Sequence, residues 1–381
     1  MKNIYLIALI VVSIIITSCT NNEKSHSNLI YVNLDSLNSV CSLNENIIER
    51  SFLKLGNIPN GRIYGVKSIE IDDTLLFVED INENVYLFNN NGKYLCQIGA
   101  KGSNDSDYIK LLGFFLNSQE KTVNLLDSQK GVILSFDYKG NYLKSTRVPI
   151  ELLAYCSEIN YIGNHNLLFV NYNYSDVKSN YSVYDFDKDI CLNLLDYMFT
   201  YNQPVQYPCK SKVATVKNNT YLISQCSDTI YSIEDDEIYP VLVYIDPRKH
   251  KSIKDNFNSS YDISDDVSQK LFDQGISSGI QSIYATNSHF VFKISEKNTN
   301  YIIVYNKLKK NGYKIDLSNS PYSSYFCDFI YSNSKFIVSC SSVEMSKMAA
   351  DDNDDKLLKK FLNDTESLGE NPILTFFHFV K

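Results

Sequence analysis

The chain has 381 residues, with 36 Lys and Arg against 44 Asp and Glu and a net charge of −8. A hydrophobic content of 44% is that of a globular protein, not a disordered one. The acidic balance, with no basic stripe, excludes nucleic acid as an expected partner.

The N-terminus carries a positive Lys2 and an apolar run from Ile4 to Ile16. The run is shorter than the about 20 residues that a membrane-spanning helix needs, so residues 1–18 are expected to be a signal peptide. Ile16-Thr17-Ser18-Cys19 resembles the bacterial lipobox, which makes Cys19 the expected lipidation site and first mature residue. Thr20 stands where an Asp would favour inner-membrane retention, so the expected location is the outer membrane, on either its periplasmic or its surface side. Residues 19–28 are polar and read as a tether.

A repeat fixes the architecture of residues 29–381. Val85–Leu95 is echoed by Ile133–Leu143 and, in its first half, by Tyr181–Asp187. Phe88, Phe136 and Tyr184 thus recur at a period of about 48 residues. Each copy alternates apolar and polar residues around a turn, and the Asn-Gly and Lys-Gly steps suit tight hairpins. A second hairpin precedes each echo: Ser68–Val78, Leu112–Asp127, Glu158–Val170, Val213–Ser224, Ile280–Ile294 and Cys327–Cys340. Two hairpins per unit make a four-stranded antiparallel sheet. The expected fold is therefore all-β, a six-bladed β-propeller.

Blade six has only one clear strand after Ile373, which leaves an edge to be paired. Leu29–Leu34 and Ile47–Leu55 are the candidate donors that would close the ring. Two insertions, residues 246–279 and 342–371, interrupt the period, with short helices expected over Asp265–Gln274 and Asp354–Leu362. They either carry function or cap the ring.

Eight cysteines follow Cys19. Cys209–Cys226 and Cys327–Cys340 each face one another if their hairpins turn tightly. They either form disulfides or pack as buried thiols.

Several stretches resemble the six-bladed β-propeller lipoproteins of Bacteroidetes-type bacteria, which are related in shape to NHL-repeat propellers. They are Phe52–Gly56 with Ile69–Asp80, Val85–Gly99, Ser227–Tyr231 with Tyr239-Pro240, and Glu370–Leu374. After Ile98-Gly99 the family usually carries Gly-x-Gly-Pro-Gly-Glu-Tyr. This chain keeps Gly99, Gly102 and Tyr108 but lacks the Pro and the Glu. The resemblance implies the propeller fold and an envelope location, and brings no general activity with it.

Chemical motifs are sparse. Gly275-Ile-Ser-Ser-Gly279 has the Gly-x-Ser-x-Gly pattern, but helix-like residues precede it and strand-like residues follow, the reverse of a nucleophile elbow. Asp351–Asp355 lacks the Gly and Glu of a calcium loop and reads as a solvated acidic helix start. The five histidines are scattered singly, without zinc-ligand spacing. Glu79, Asp80 and Asp127 follow inner strands, where lactonase-type six-bladed propellers hold calcium. Asn171, Gln225 and Ser295 occupy comparable places in later blades.

The functional expectation is a non-catalytic binding or interaction scaffold with a protein or glycan partner and no cofactor. Its expected contact regions are the two insertions and residues 99–108. The first alternative is a calcium-dependent hydrolase or lyase built on Glu79, Asp80 and Asp127. The second is a glycan-binding accessory lipoprotein, although the absence of Trp removes one common sugar-stacking side chain.

Overall fold

The repeat folds into six radially arranged sheets. The computed structural model describes residues 29–40, 48–59, 61–163, 166–172, 176–197, 212–216, 219–224, 227–234, 237–245, 279–296, 299–316, 330–332, 335–351, 355–365 and 370–379. Three strands come first: β1 (Ile30–Asn33), β2 (Asn38–Val40) and β3 (Ile48–Lys54). Blade one holds β4 (Val66–Asp72), β5 (Leu75–Asp80), β6 (Val85–Asn89) and β7 (Tyr94–Ile98). Blade two holds β8 (Leu111–Asn117), β9 (Thr122–Asp127), β10 (Val132–Asp137) and β11 (Tyr142–Arg147). Blade three holds β12 (Cys156–Gly163), β13 (Asn166–Asn171), β14 (Ser179–Asp185) and β15 (Ile190–Asp196). Blade four holds β16 (Val213–Val216), β17 (Asn219–Ile223), β18 (Thr229–Glu234) and β19 (Glu237–Ile245). Blade five holds β20 (Ile280–Ala285), β21 (His289–Glu296), β22 (Thr299–Asn306) and β23 (Asn311–Asp316). Blade six holds β24 (Ile330–Ser332), β25 (Lys335–Cys340), β26 (Ile373–Phe379) and β3.

The middle strands are buried on both faces, because each blade is packed between two others. In β5, Leu76 and Val78 join the cluster shared with blade six, while Phe77 on the opposite face joins blade two. Alternation along the strand thus supplies two interfaces at once. Six such clusters occur among the described residues, one between each pair of neighbouring blades. Aromatic side chains such as Phe77, Phe88, Phe169, Phe292 and Phe377 fill them, as the Tyr- and Phe-rich composition leads one to expect.

The ring is closed by the second of the two expected donors. β3 pairs antiparallel with β26 from Lys54↔Ile373 to Ile48↔Phe379, so the first and last parts of the chain share one sheet. Leu29–Leu34 does not enter blade six. Its strand β1 runs parallel to β19 on the outside of blade four, with Val32 and Leu34 buried between blades four and five. β2 likewise lies parallel to β23 of blade five. The N-terminal segment is therefore a belt that crosses the rims of blades four and five before completing blade six. Asn371 fastens the closure: its Oδ1 accepts from the Ile63 N–H at 2.9 Å and its Nδ2 donates to the Gly56 carbonyl at 2.7 Å. That contact gives the Glu370–Leu374 stretch a structural role.

The turn repeat has a physical origin too. Asn89 and Asp137 each accept two backbone N–H groups within their own turns, as Asx turns do. Gly92 and Gly140 then take φ of +76° and +83°. A Cβ on Gly92 would lie 2.1 Å from the Lys54 carbonyl oxygen of the preceding blade, and one on Gly140 2.9 Å from that of Gln97. Backbone conformation and interblade contact both require glycine there.

Residues 342–371 differ from expectation in two ways. They contain two helices, Ser342–Asp351 and Lys356–Asp364. Met345, Met348, Ala349 and Leu358 are buried against blades five and six, so the pair fills an interblade wedge. Asp355 is not a solvated helix start. It is buried, caps the Leu358 N–H at 3.0 Å, and takes both Arg50 guanidinium nitrogens at 2.6 and 3.1 Å. A third short helix spans Ile150–Leu153. The expected helix at Asp265–Gln274 lies outside the described residues.

Candidate binding face

In an up-and-down blade, the turn between the second and third strands shares a face with the connection to the next blade. Hydrogen bonds join these two kinds of segment around the ring: Val148 N–H to Gly131 O, Tyr172 N–H to Tyr155 O, and Tyr197 N–H to Lys178 O. The described connections 55–65, 99–110 and 148–155 start and finish on this face, and the strand ends that bound residues 197–212, 246–279, 317–329 and 341–372 lie on it too. The opposite ends of the blades have short turns, such as residues 73–74 and 118–121.

The loop over residues 99–108 is held tightly. Gly99, at φ +65°, packs against Leu125 and Phe136, and its backbone leads to a fully buried Tyr108. The Tyr108 hydroxyl donates to the Glu83 carbonyl at 2.7 Å, while Lys130 Nζ donates to the carbonyls of Asn104 and Asp107 at 2.8 and 2.5 Å. Burial drives the Tyr108 phenol well above its ordinary range. Gly99 and Tyr108 are thus anchors that shape the loop.

The three candidate calcium ligands have other occupations. Asp80 accepts the N–H groups of Asn82 and Asn84 and the Asn84 amide, closing its own turn. Asp127 accepts four backbone N–H groups, from Ile109, Lys110, Gln129 and Lys130, and so ties blade two to the incoming loop. Glu79 accepts from Lys67 Nζ at 2.5 Å and Ser68 Oγ at 2.7 Å. Asn171, their counterpart in blade three, donates to Ser179 O and Ser182 Oγ. Gln225 lies outside the described residues, as does the side chain of Ser295. Among the described residues no group of three or more His, Cys, Asp or Glu is arranged to hold a metal ion.

Burial raises the Glu79 carboxyl above its usual value against the opposing pull of Lys67. A raised carboxylate contributes stability that is complete below the unfolded value and is lost as pH rises through the folded value. Glu79→Gln should therefore gain on the wild type in melting temperature between about pH 4 and about pH 7. Differential scanning fluorimetry at both pH values measures the gap. A change in the opposite direction would make the Lys67 pair the stronger influence.

Among the polar and charged residues of the loop face, such as Lys101, Asp105 and Glu151, stand four exposed apolar ones. Tyr64, Ile81 and Ile150 are 61, 60 and 57% exposed, and Ile109 is also exposed. These residues belong to linked segments. Ile81 lies against Gly65 and its N–H donates to the Gly65 carbonyl, Ile109 N–H donates to Asp127, and Ile150 lies 3.7 Å from the Cβ position of Gly131. Arg62 stacks over the Tyr64 ring at 4.8 Å and pairs with Glu370 at 3.2 Å. The result is an arc of exposed side chains across blades one to three, on loops fixed by hydrogen bonds. The four residues are distant in sequence, and only the fold brings their segments to one face.

The remaining candidates fall elsewhere. Cys19, Cys209, Cys226 and Cys327 lie outside the described residues. Cys340 is buried, which pushes its thiol up to about 12. Gly279 has φ +81° just before β20, as a glycine used for backbone freedom would.

Solved structures share the architecture. An exported protein from Bacteroides fragilis aligns with a TM-score of 0.71 at 21% identity, covering 93% of this chain and 100% of its own. A member of the DUF4221 family from Bacteroides vulgatus aligns at 0.54 and 10% identity, covering 88% and 100%. No curated protein matches the chain. The family model described as a domain of unknown function, DUF4934, matches residues 51–378, and the chain belongs to that family.

Proposed function

We propose that the protein is an exported scaffold, lipid-anchored through Cys19 at the outer membrane, that docks a protein partner on the loop face of its propeller. The observation that carries this reading is the exposed apolar arc of Tyr64, Ile81, Ile109 and Ile150 on rigidly bonded loops. Exposed apolar residues gathered on one face favour association, and a preorganised surface loses little entropy on binding. The lipobox-like Ile16–Cys19 and the exported relative from Bacteroides fragilis support the envelope location. The hydrogen bonds that occupy Asp80, Asp127 and Glu79 weigh against the calcium-dependent hydrolase or lyase.

Tyr64→Asp with Ile150→Asp tests the reading. Both positions are exposed, so stability should change by less than about 0.5 kcal/mol for each. Capture of the partner from solubilised envelopes should fall at least about tenfold. Undiminished capture would remove the arc from the interface. Capture abolished by chelation but not by the double variant would restore the metal reading, and retention on polysaccharide alone would favour the glycan reading.

A further inference from the structure

We infer that the outer edge of blade three is a second docking site, which takes an extended cationic polypeptide segment as a fifth strand along β15. The site runs along the blade edge, and only its cleft toward blade two reaches the 148–155 connection of the loop face.

The molecule already uses this mode of pairing on itself. β1 lies along the last strand of blade four and β2 along the last strand of blade five, each as a parallel fifth strand. Blade three ends at β15, and among the described residues nothing pairs with its outer edge. A last strand presents one row of backbone N–H and C=O groups, which is a template for another strand unless charges guard it. β11, at the edge of blade two, carries Lys144 and Arg147, whereas β7, at the edge of blade one, reads Tyr-Leu-Cys-Gln-Ile and is uncharged like β15. The acid-lined clefts beside β15 are what set it apart. β15 reads Ile-Cys-Leu-Asn-Leu-Leu-Asp and has no charge before Asp196. Ile190 and Leu192, two residues apart and so on one face, are 48 and 37% exposed.

The surroundings of β15 specify the occupant further. The outer hairpin of blade three has open space on both faces. A cleft of about 560 Å3 toward blade four is lined by Val183, Leu192 and Leu194, and by the acids Asp185, Asp187 and Glu234 with Lys188. A cleft of about 570 Å3 toward blade two contains Tyr184 and Cys191, with the acids Glu151, Asp176 and Asp189 and the single Lys178. Three acids to one lysine on either side of a neutral edge select a strand flanked by Lys or Arg. The apolar positions of such a strand would lie against Ile190 and Leu192. Backbone pairing supplies affinity, and the flanking clefts supply specificity.

The test uses a fluorescent synthetic peptide of residues 29–34 with two lysines added at each end, titrated into the full chain and followed by anisotropy. Saturable binding in the micromolar range is expected. It should weaken about tenfold or more in Ile190→Ser with Leu192→Ser, whose exposed positions leave folding intact by circular dichroism. Alternate N-methylation of the peptide backbone should abolish it, and exchange of the lysines for glutamates should weaken it most at low salt. Equal binding by the double variant would mean that the peptide displaces β1 at blade four, which overturns the proposal. Equal binding by the N-methylated peptide would exclude strand addition. A concentration-dependent dimer that the double variant loses would make the edge an interface between copies of this chain, which also overturns it.

Discussion

A chain lacking residues 28–55 is expected to give no folded monomer, only aggregate or unfolded product. The deletion removes β3, so β26 becomes an unpaired apolar edge and the ring stays open. It also uncovers the rims of blades four and five, where Val32 and Leu34 are buried. The same closure can be tested at one residue. Arg50 of β3 is the buried partner of Asp355, and removing one member of a buried pair costs about 3–5 kcal/mol. Arg50→Met should therefore lower the urea midpoint strongly. Adding Asp355→Asn should recover most of the loss, because Asn removes the orphaned charge and keeps the helix cap. Size-exclusion chromatography of the deletion and urea melts of the variants measure both effects. A stable deleted monomer would show that the remaining blades hold the ring without the N-terminal strand.

The second large effect is expected at Gly92. Gly92→Ala meets a left-handed backbone, worth about 1–2 kcal/mol. It also places its Cβ 2.1 Å from the Lys54 carbonyl oxygen, a backbone clash worth a further about 1–3 kcal/mol. Gly163 separates the two contributions. Its φ is +86°, yet nothing lies within 4 Å of its Cβ position, so Gly163→Ala should cost only the backbone share. Chemical melts should show Gly92→Ala losing about 3 kcal/mol and Gly163→Ala about 1 kcal/mol. Equal losses would mean that the interblade contact at Gly92 relaxes without cost.

The blades were legible in the sequence because their period is carried by chemistry that must recur. Asn89, Asp137 and Asp185 begin equivalent Asx turns, and Phe88, Phe136 and Tyr184 occupy equivalent register positions. The donor of blade six was legible as one of two candidates. What separated them was invisible, since a four-residue strand such as Ile30–Asn33 carries no mark of its partner or of parallel pairing. The helix Ser342–Asp351 was missed although its signal was present. Ser341 and Glu344 form a reciprocal capping box, with Ser341 N–H donating to Glu344 and Glu344 N–H to Ser341 Oγ. Arg50–Asp355 could not have been read, because the two residues meet only through ring closure.

The strand-end acids were legible in place, and their hydrogen-bond partners were not. Asp80 and Asp127 do end their strands, where the repeat put them. Their carboxylates accept N–H groups of Asn82, Asn84, Gln129 and Lys130, partners that the strand pattern alone does not show. The apolar arc from Tyr64 to Ile150 joins residues distant in sequence, and the clefts beside β15 are gaps in packing. Neither leaves a local pattern to find.

The most direct test of the central claim is crosslinking of the full-length protein in cells, followed by mass spectrometry of what is captured. A photoreactive residue replaces Ile150 on the loop face in one strain and Lys121 on the opposite face in another. One dominant protein crosslinked from position 150 and not from 121 is the predicted result. Capture of the same protein equally from both positions, or of no specific protein from position 150, would contradict a docking role for the loop face.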